Sequence, residues 1–426
     1  MRTYDFAAIG VGPFNLGLAA LTEDLTGVDG IFLEQRAGFD WHPGLMIDGV
    51  TIQVPFMADL VTMADPTSRF SFLNYLKQVG RLYPFYIRES FYPLRAEYNE
   101  YCKWVAGQLS SIRWDTRVDT VTHDGEAYLV HTNGETFRAR KLVLGIGTAP
   151  RVPAAVDQGP YLHSADYLPG KAELQRLDSI TIIGSGQSAA EIYLDLLNDI
   201  ETYGYHLSWI TRSPRFFPME YTKLTLEMTS PEYIRYHRRL PLETRDRLGR
   251  EQRNLYKGIS GDLVDAIYDT LYAKSLAGPV STTLLTGTAL SGVIWDGERW
   301  TLALEHQEEG SSFTATTRGL VLATGYAPRV PSFLDPVRDR INWDAHGRFD
   351  VAVDYAVDRR GEEIFVQNAA EHTHSVTDPD LGMGAYRNSV ILRGITGREI
   401  YPVEESIAFQ QFGAPTADIP KALVTS

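Results

Sequence analysis

The sequence predicts an α/β fold with two Rossmann-like units and a small, mainly helical region. A buried strand, a glycine turn, an apolar helix and a second strand follow one another between residues 4 and 33. The same order recurs between residues 179 and 210. Beyond the second unit lies a helical stretch, 219–276, in which residues 234–257 carry eight Lys/Arg against three acids.

Size and composition fit that outline and exclude others. At about 150 residues per domain, a chain of 426 residues divides into roughly three lobes. Its 44% apolar content is that of an ordinary folded protein. With one cysteine, Cys102, no intramolecular disulfide can form, and the thiol cluster of a zinc ribbon or iron-sulfur protein is missing. The net charge of -14 disfavours a nucleic-acid partner, since backbone binders neutralise phosphates with clustered Lys and Arg. A cationic partner suits the field better. The N-terminus runs directly into a strand without a basic leader, and no apolar stretch approaches the roughly 20 residues of a membrane helix. The expected location is the cytoplasm, away from membranes.

In the first unit the strand 4–10 turns at Gly10, Gly12 and Asn15 into a helix from 16 to about 25, and a strand 30–33 ends at Glu34. The first glycine permits the turn, and the second lets the backbone approach a pyrophosphate at the helix N-terminus. Asn15 stands where a third glycine is usual. The turn alone also fits an unrelated α/β protein. Glu34, 24 residues beyond Gly10, is placed to accept ribose hydroxyls and favours a dinucleotide. Residues 37–95, rich in aromatics and proline, read as loops and short helices capping a site, and 137–147 as a strand that approaches a ligand at its glycines.

The second unit comprises the strand 179–183, the turn at Gly184, Gly186, Gln187 and Ser188, and the strand 207–210. Its closing residue is basic. Arg212, between Thr211 and Ser213, suits a 2'-phosphate and NADP(H) over NAD(H); the alternative is a solvated strand-end charge. An acid at the first site and a base at the second argue for FAD first and NADPH second. Further strands are expected within 280–304 and at 319–322 and 364–367, a loop at 371–375 and a helix over 384–395. The expected division is 1–168 for the first part of an FAD-binding domain, 169–325 for an NADPH-binding domain that includes the helical, substrate-facing 219–276, and 326–426 for the return of the FAD-binding domain.

Other chemistries find little support. His42, His372 and His374 complete no recognisable ligand set, so no metal is expected. Cys102 reads as a small core residue, and Ser188 has no positioned base. A plain NADPH oxidase, a disulfide reductase or a dinucleotide sensor would share both nucleotide sites, though the reductase would need a cysteine pair.

The ordered set Gly10-x-Gly12-Pro13-Phe14-Asn15-Leu16, Trp41-His42-Pro43-Gly44, Asp59-Leu60-Val61-Thr62, Gly184-x-Gly186-Gln187-Ser188-Ala189, Ala323-Thr324-Gly325-Tyr326 and His372-Thr373-His374 resembles the bacterial siderophore N-hydroxylases. These are the lysine N6- and ornithine N5-monooxygenases and their diamine relatives. The resemblance implies hydroxylation of a primary amine with NADPH and O2 through a C4a-hydroperoxyflavin, and a homo-oligomer, dimer or tetramer. It places Gly10, Gly12, Pro13 and Glu34 on FAD, Trp41, His42 and Gln53 beside the flavin, and Gly184, Gly186, Gln187, Ser188 and Arg212 on NADPH. Asn254 falls near nicotinamide and substrate, and Gln53 and Asn254 are the candidate catalytic residues.

One departure bears on the substrate. The amino-acid hydroxylases carry a lysine for the substrate carboxylate immediately before the Asp of this segment, where Ala58 stands here. Leu226 likewise falls where a polar carboxylate contact is presented. A buried carboxylate without a cation is costly, so the expected substrate is a decarboxylated diamine, cadaverine ahead of putrescine, with L-lysine or L-ornithine as the alternative.

Overall fold

The computed structural model describes residues 1–156 and 158–414. Residues 415–426, the end of the expected return segment, lie outside the described residues.

The first unit forms as β1 (Thr3–Ile9), α1 (Pro13–Thr22) and β2 (Gly30–Leu33). The helix starts three residues before the expected 16 because Pro13 opens it, where a fixed φ helps and a missing N–H costs nothing. It ends before 25, with the Thr22 hydroxyl turned back onto the carbonyls of Leu18 and Ala19. The aromatic stretch folds into short helices α2 (Phe72–Gln78) and α3 (Leu82–Ile87), followed by α4 (Arg95–Ala106). Then come β3 (Ile112–Arg113), β4 (Val118–His123), β5 (Tyr128–Thr132) and β6 (Thr136–Leu144). β1 lies between β2 and β6, parallel to both, and β4–β5–β6 form an antiparallel edge. Alternation along β1 sends Phe6 and Ala8 into one core and Ala7 and Ile9 into another, so both faces of this sheet are covered.

The chain leaves through β7 (Thr148–Pro150), β8 (Leu162–His163) and α5 (Tyr167–Leu174), and the second unit follows as β9 (Ser179–Ile183), α6 (Gln187–Tyr203) and β10 (His206–Ile210). Five helices come next: α7 (Lys223–Leu226), α8 (Pro231–Arg239), α9 (Leu242–Glu251), α10 (Arg253–Lys257) and α11 (Gly261–Ser275). β11 (Thr282–Leu285) completes one side of the second sheet. An antiparallel trio, β12 (Thr288–Trp295), β13 (Trp300–His306) and β14 (Ser311–Thr317), leads to β15 (Gly319–Leu322). The order β11-β10-β9-β15-β8 is parallel throughout.

β16 (Tyr326–Pro328) pairs with β7, so the two passages between the sheets run side by side. β17 (Ile364–Val366) then joins the first sheet beside β6. The segment expected as a loop at 371–375 contains one helical turn, α12 (Glu371–His374), closed by Thr373 and His374 N–H on the Ala370 carbonyl. α13 (Gly384–Thr396) packs against α1. The result is an α/β protein built on parallel sheets of the Rossmann dinucleotide-binding type. Among the described residues, no helix is long and apolar enough to cross a membrane, and no group of three or more His, Cys, Asp and Glu is arranged to hold a metal ion.

Candidate active site

The first glycine turn is built for close approach. Gly10 has φ +85°, and a Cβ there would run into the carbonyl oxygen of Gly145 at the end of β6. A Cβ on Gly145 would run into the Asn15 side chain. Asn15 braces the turn instead of merely replacing a glycine, donating from Nδ2 to the Gly10 carbonyl at 2.7 Å. Its Oδ1 is buried without a partner, and the residue lines the adjacent cavity. Gly12 caps α1 without a side-chain hydrogen bond, which leaves helix N–H groups for an anion. Glu34 is buried; its Oε2 accepts from Val11 N at 2.8 Å and its Oε1 from Arg36 N at 3.0 Å and Arg36 Nε at 3.2 Å, so it secures the turn, and Oε2 can accept again. These groups fit an FAD diphosphate. Gly145→Ala is expected to yield folded protein with less than a tenth of the wild-type bound flavin, read from visible absorbance; stoichiometric flavin in that variant would contradict this placement.

At the second turn Gly184 packs against the Ala323 carbonyl and Gly186 caps α6, where a Cβ would lie 3.2 Å from the Lys257 carbonyl oxygen. Gln187 receives the Ser260 N–H at 2.8 Å and donates to Glu191 at 2.9 Å. Glu191 in turn forms a buried two-point ion pair with Arg95 of α4, at 2.7 and 2.9 Å. That pair ties the second nucleotide helix to the first half of the molecule, and losing one partner would strand a buried charge at a cost of about 3–5 kcal/mol. Arg212, beyond β10, is exposed overall, with its guanidinium partly shielded from water. That partial desolvation, then the like charges of Arg253 and Arg151, hold its pKa below the usual arginine value. Three cations gathered in this way suit a phosphate dianion.

Between the turns lies a cavity of about 940 Å³. Gly12 and Pro13 line one side, Gln187 and Ser188 another, with Trp41, His42, Gln53 and Leu226 completing the predicted residues that meet there. The Trp41 N–H is held by Asn99 Oδ1 at 2.9 Å, and its ring lies 4.8 Å from that of His42. Burial, then the charges of Arg95 and Arg36, push the His42 pKa down to about 4, so its ring is neutral at pH 7. Gln53 Nε2 is buried without a partner.

Other predicted residues stand one layer back. Gly10, Glu34, Gly184 and Gly186 support the two turns, Arg212 lies with its neighbouring cations, and Ala58 is buried. Asn254 lies on α10, whose Leu255 and Tyr256 form the cavity wall. Tyr256 donates to Glu371 at 2.7 Å, and Lys257 bonds both oxygens of that carboxylate at 2.6 Å, so α10 is tied to α12.

Sequence reasoning missed Asp380, a cavity-lining carboxylate on the segment after α12. Burial pushes its pKa up, opposed by the N–H groups of Gly382 and Met383 and by Arg387. A Cβ built on Gly382 would lie 2.9 Å from Asp380 Oδ1 and 3.7 Å from the Ala58 methyl, so carboxylate and methyl flank one point. The only available signal was a pair of acids around Pro379, just past the His372 loop.

Two imidazoles, that of His374 fully buried and that of His42 open to the cavity, make stability depend on acid, His374 the more strongly. The pKa of His42 is pushed down to about 4 and that of His374 to about 3, both chiefly by burial. The unfolded imidazole titrates near 6.5, so the unfolded chain takes protons more readily below that pH. Stability from these groups is complete above about pH 6.5 and falls as pH drops toward 4. Urea unfolding between pH 7.5 and 5, above the carboxylate range, should show that decline, and a flat profile would contradict neutral rings.

Two dinucleotide turns opening on one cavity define a flavoprotein oxidoreductase that uses a nicotinamide nucleotide. Residues 2–328 match the family model for L-lysine 6-monooxygenase/L-ornithine 5-monooxygenase. The chain belongs to that family and is an FAD- and NADPH-dependent N-hydroxylating monooxygenase. It is similar to the FAD-bound cadaverine monooxygenase of the desferrioxamine pathway of Erwinia amylovora, with 51% identity, a TM-score of 0.96, and coverage of 98% of this chain and 100% of that one. The putrescine N-hydroxylase of Shewanella oneidensis is 49% identical over 96% of this chain and 84% of its own length. An ornithine N-hydroxylase of Kutzneria sp. 744, solved with reduced FAD, NADP+ and L-ornithine, is 28% identical with a TM-score of 0.85, over 92% of this chain and 99% of its own.

Proposed function

We propose that the protein N-hydroxylates one primary amine of an aliphatic diamine, cadaverine in preference to putrescine, in hydroxamate siderophore biosynthesis. The observation that carries the diamine is Asp380 in the cavity wall, with the uncharged Ala58 buried behind the same segment. Where an amino-acid hydroxylase offers a cation to a carboxylate, this chain has an uncharged methyl group behind the cavity wall, and an acid, Asp380, in the wall itself. A substrate with an ammonium at its far end satisfies that acid; a carboxylate there would be repelled. The preference for the five-carbon diamine rests on the likeness to the cadaverine monooxygenase.

Bound FAD, reduced by NADPH, supplies the activation of O2. The residues of this chain set up the amine. A diamine in water carries two ammonium groups with pKa near 10.4, yet oxygen can be accepted only by a nitrogen with a free lone pair. Asp380 stabilises the charge on the distal nitrogen, while burial near His42 and Gln53, with neutral His42 adding no charge, favours loss of the proton at the other end. One end stays charged and the other becomes nucleophilic, so a single hydroxylation per binding event follows. Gln53 Nε2 offers a free donor in the cavity, and α10 presents its wall, with Asn254 behind, from the nicotinamide side.

In this reading the first sheet with its returning β17 holds FAD, the second sheet holds NADPH, and of the helical region expected to face the substrate, α7 and α10 line the amine cavity. The expected division at residue 168 lies close to the paired passages β7 and β16, and β8, just before it, pairs with β15 in the second sheet. The reading includes a homo-oligomer, dimer or tetramer, working in the cytoplasm. NADPH loss and product should be measured together. Hydroxylamine formed about one-to-one with NADPH, and only with diamine present, is the expected result; amine-independent NADPH loss ending in peroxide would mean a plain oxidase.

A further inference from the structure

The outer wall of the cavity is its least supported part. α7 is four residues long with none of them buried, yet it places Thr225 and Leu226 on the cavity. A single turn does not hold itself together in water. Its support comes from far along the chain, from residues 405–413, which follow α13.

The attachment is specific. Glu227 Oε1 accepts from Phe409 N at 3.0 Å and Oε2 from Gln410 N at 2.9 Å. On α8, Glu232 Oε1 accepts from Ile407 N at 2.7 Å and Ala408 N at 3.1 Å. Two carboxylates therefore grip four consecutive backbone N–H groups. The Gln410 side chain donates back to the Leu224 carbonyl within α7, and Arg235 donates to the Glu405 carbonyl at 2.6 Å. The Phe412 ring stands edge-on to Tyr233 at 5.1 Å. α8 is separately anchored, through contact of His237 Nδ1 with the Thr373 carbonyl at 3.0 Å. Of the two helices, α7 has the greater need of this segment.

We propose that residues 405–413 are a strap that sets the outer wall of the amine cavity, with Glu227 and Glu232 as positioning residues acting through it. The inference rests on the reading of that cavity as the amine site. A slack strap lets α7 move outward, which loosens the amine and admits water. Electrons from NADPH then reduce O2 to hydrogen peroxide, consuming one NADPH, one proton and one O2 per peroxide, instead of hydroxylating the amine. The NADPH turn on α6 is untouched by the change.

The test uses flavin-loaded full-length enzyme. Wild type must first show diamine-dependent hydroxylamine; without it the function assigned to the cavity fails, and the strap proposal with it. In Glu227→Ala/Glu232→Ala, the cadaverine KM is expected to rise about tenfold and the peroxide share of NADPH at least threefold. The NADPH KM should stay within twofold of wild type, as should the anaerobic flavin reduction rate. Backbone hydrogen exchange over 223–229 should quicken. Phe412→Ala, which leaves both carboxylates, should shift the same quantities in the same direction, and Glu227→Gln, keeping one acceptor oxygen, should recover part of the loss. Unchanged cadaverine KM and exchange in active wild-type background would overturn the strap, as would a parallel rise in NADPH KM, the mark of general loss of structure.

Discussion

Asp380→Asn is expected to lower kcat/KM for cadaverine about a hundred- to a thousandfold, with bound flavin and NADPH affinity unchanged. The magnitude follows from what the substitution removes. In the proposed function the distal ammonium pairs with this carboxylate, and a buried charge deprived of its partner costs about 3–5 kcal/mol, with each 1.4 kcal/mol worth a factor of ten. Asn keeps the shape and can still accept the Gly382 N–H that Asp380 Oδ1 receives at 2.6 Å, so the loop should persist. Most of the loss should appear in KM, because the contact is made equally in the bound substrate and during oxygen transfer. A variant that turns cadaverine over with wild-type kcat/KM would show that the second amine binds elsewhere.

Ala58→Lys is the complementary change and the second large effect. The new ammonium would enter next to Asp380, whose carboxylate and the Ala58 methyl flank the same point. It would occupy the acid and repel the distal end of the diamine, so cadaverine kcat/KM should fall about a hundredfold. Pairing of the new Lys with Asp380 leaves little charge for a carboxylate, so gain of L-lysine or L-ornithine turnover should be small in this variant and larger in Ala58→Lys/Asp380→Asn. Steady-state kinetics on flavin-loaded protein would read both. Undiminished diamine turnover in the single variant would separate Ala58 from the substrate.

Much of this architecture was legible because parallel sheets and glycine turns leave local signatures. The strand 179–183 is recovered with its bounds, and the helix expected over 384–395 spans Gly384–Thr396. The strands β4 and β5 of the antiparallel edge escaped notice because they are short and half-polar, while their neighbour β6 falls within the strand expected over 137–147; Asp124-Gly125 and Asn133-Gly134 are the dipeptides that close such hairpins. The strap could not be read at all, since its partners lie 170 or more positions away and act mainly through backbone groups that any sequence would supply. At the site, the glycines, Trp41, His42 and Gln53 follow from ordered motifs, whereas Asp380, one of two acids around Pro379, takes its meaning only from its place in the cavity wall. The Arg95–Glu191 pair was hidden for the same reason, being joined across 96 positions.

In the proposed function, Asp380 in the cavity wall selects a substrate with two amines. Its most direct test compares kcat/KM for cadaverine, putrescine, L-lysine and L-ornithine on flavin-loaded wild-type enzyme, following NADPH loss and hydroxylated product together. The expected result is cadaverine first, putrescine second, and both amino acids lower by about a hundredfold or more, the scale of one unfavourable buried charge. L-lysine or L-ornithine exceeding both diamines would contradict it.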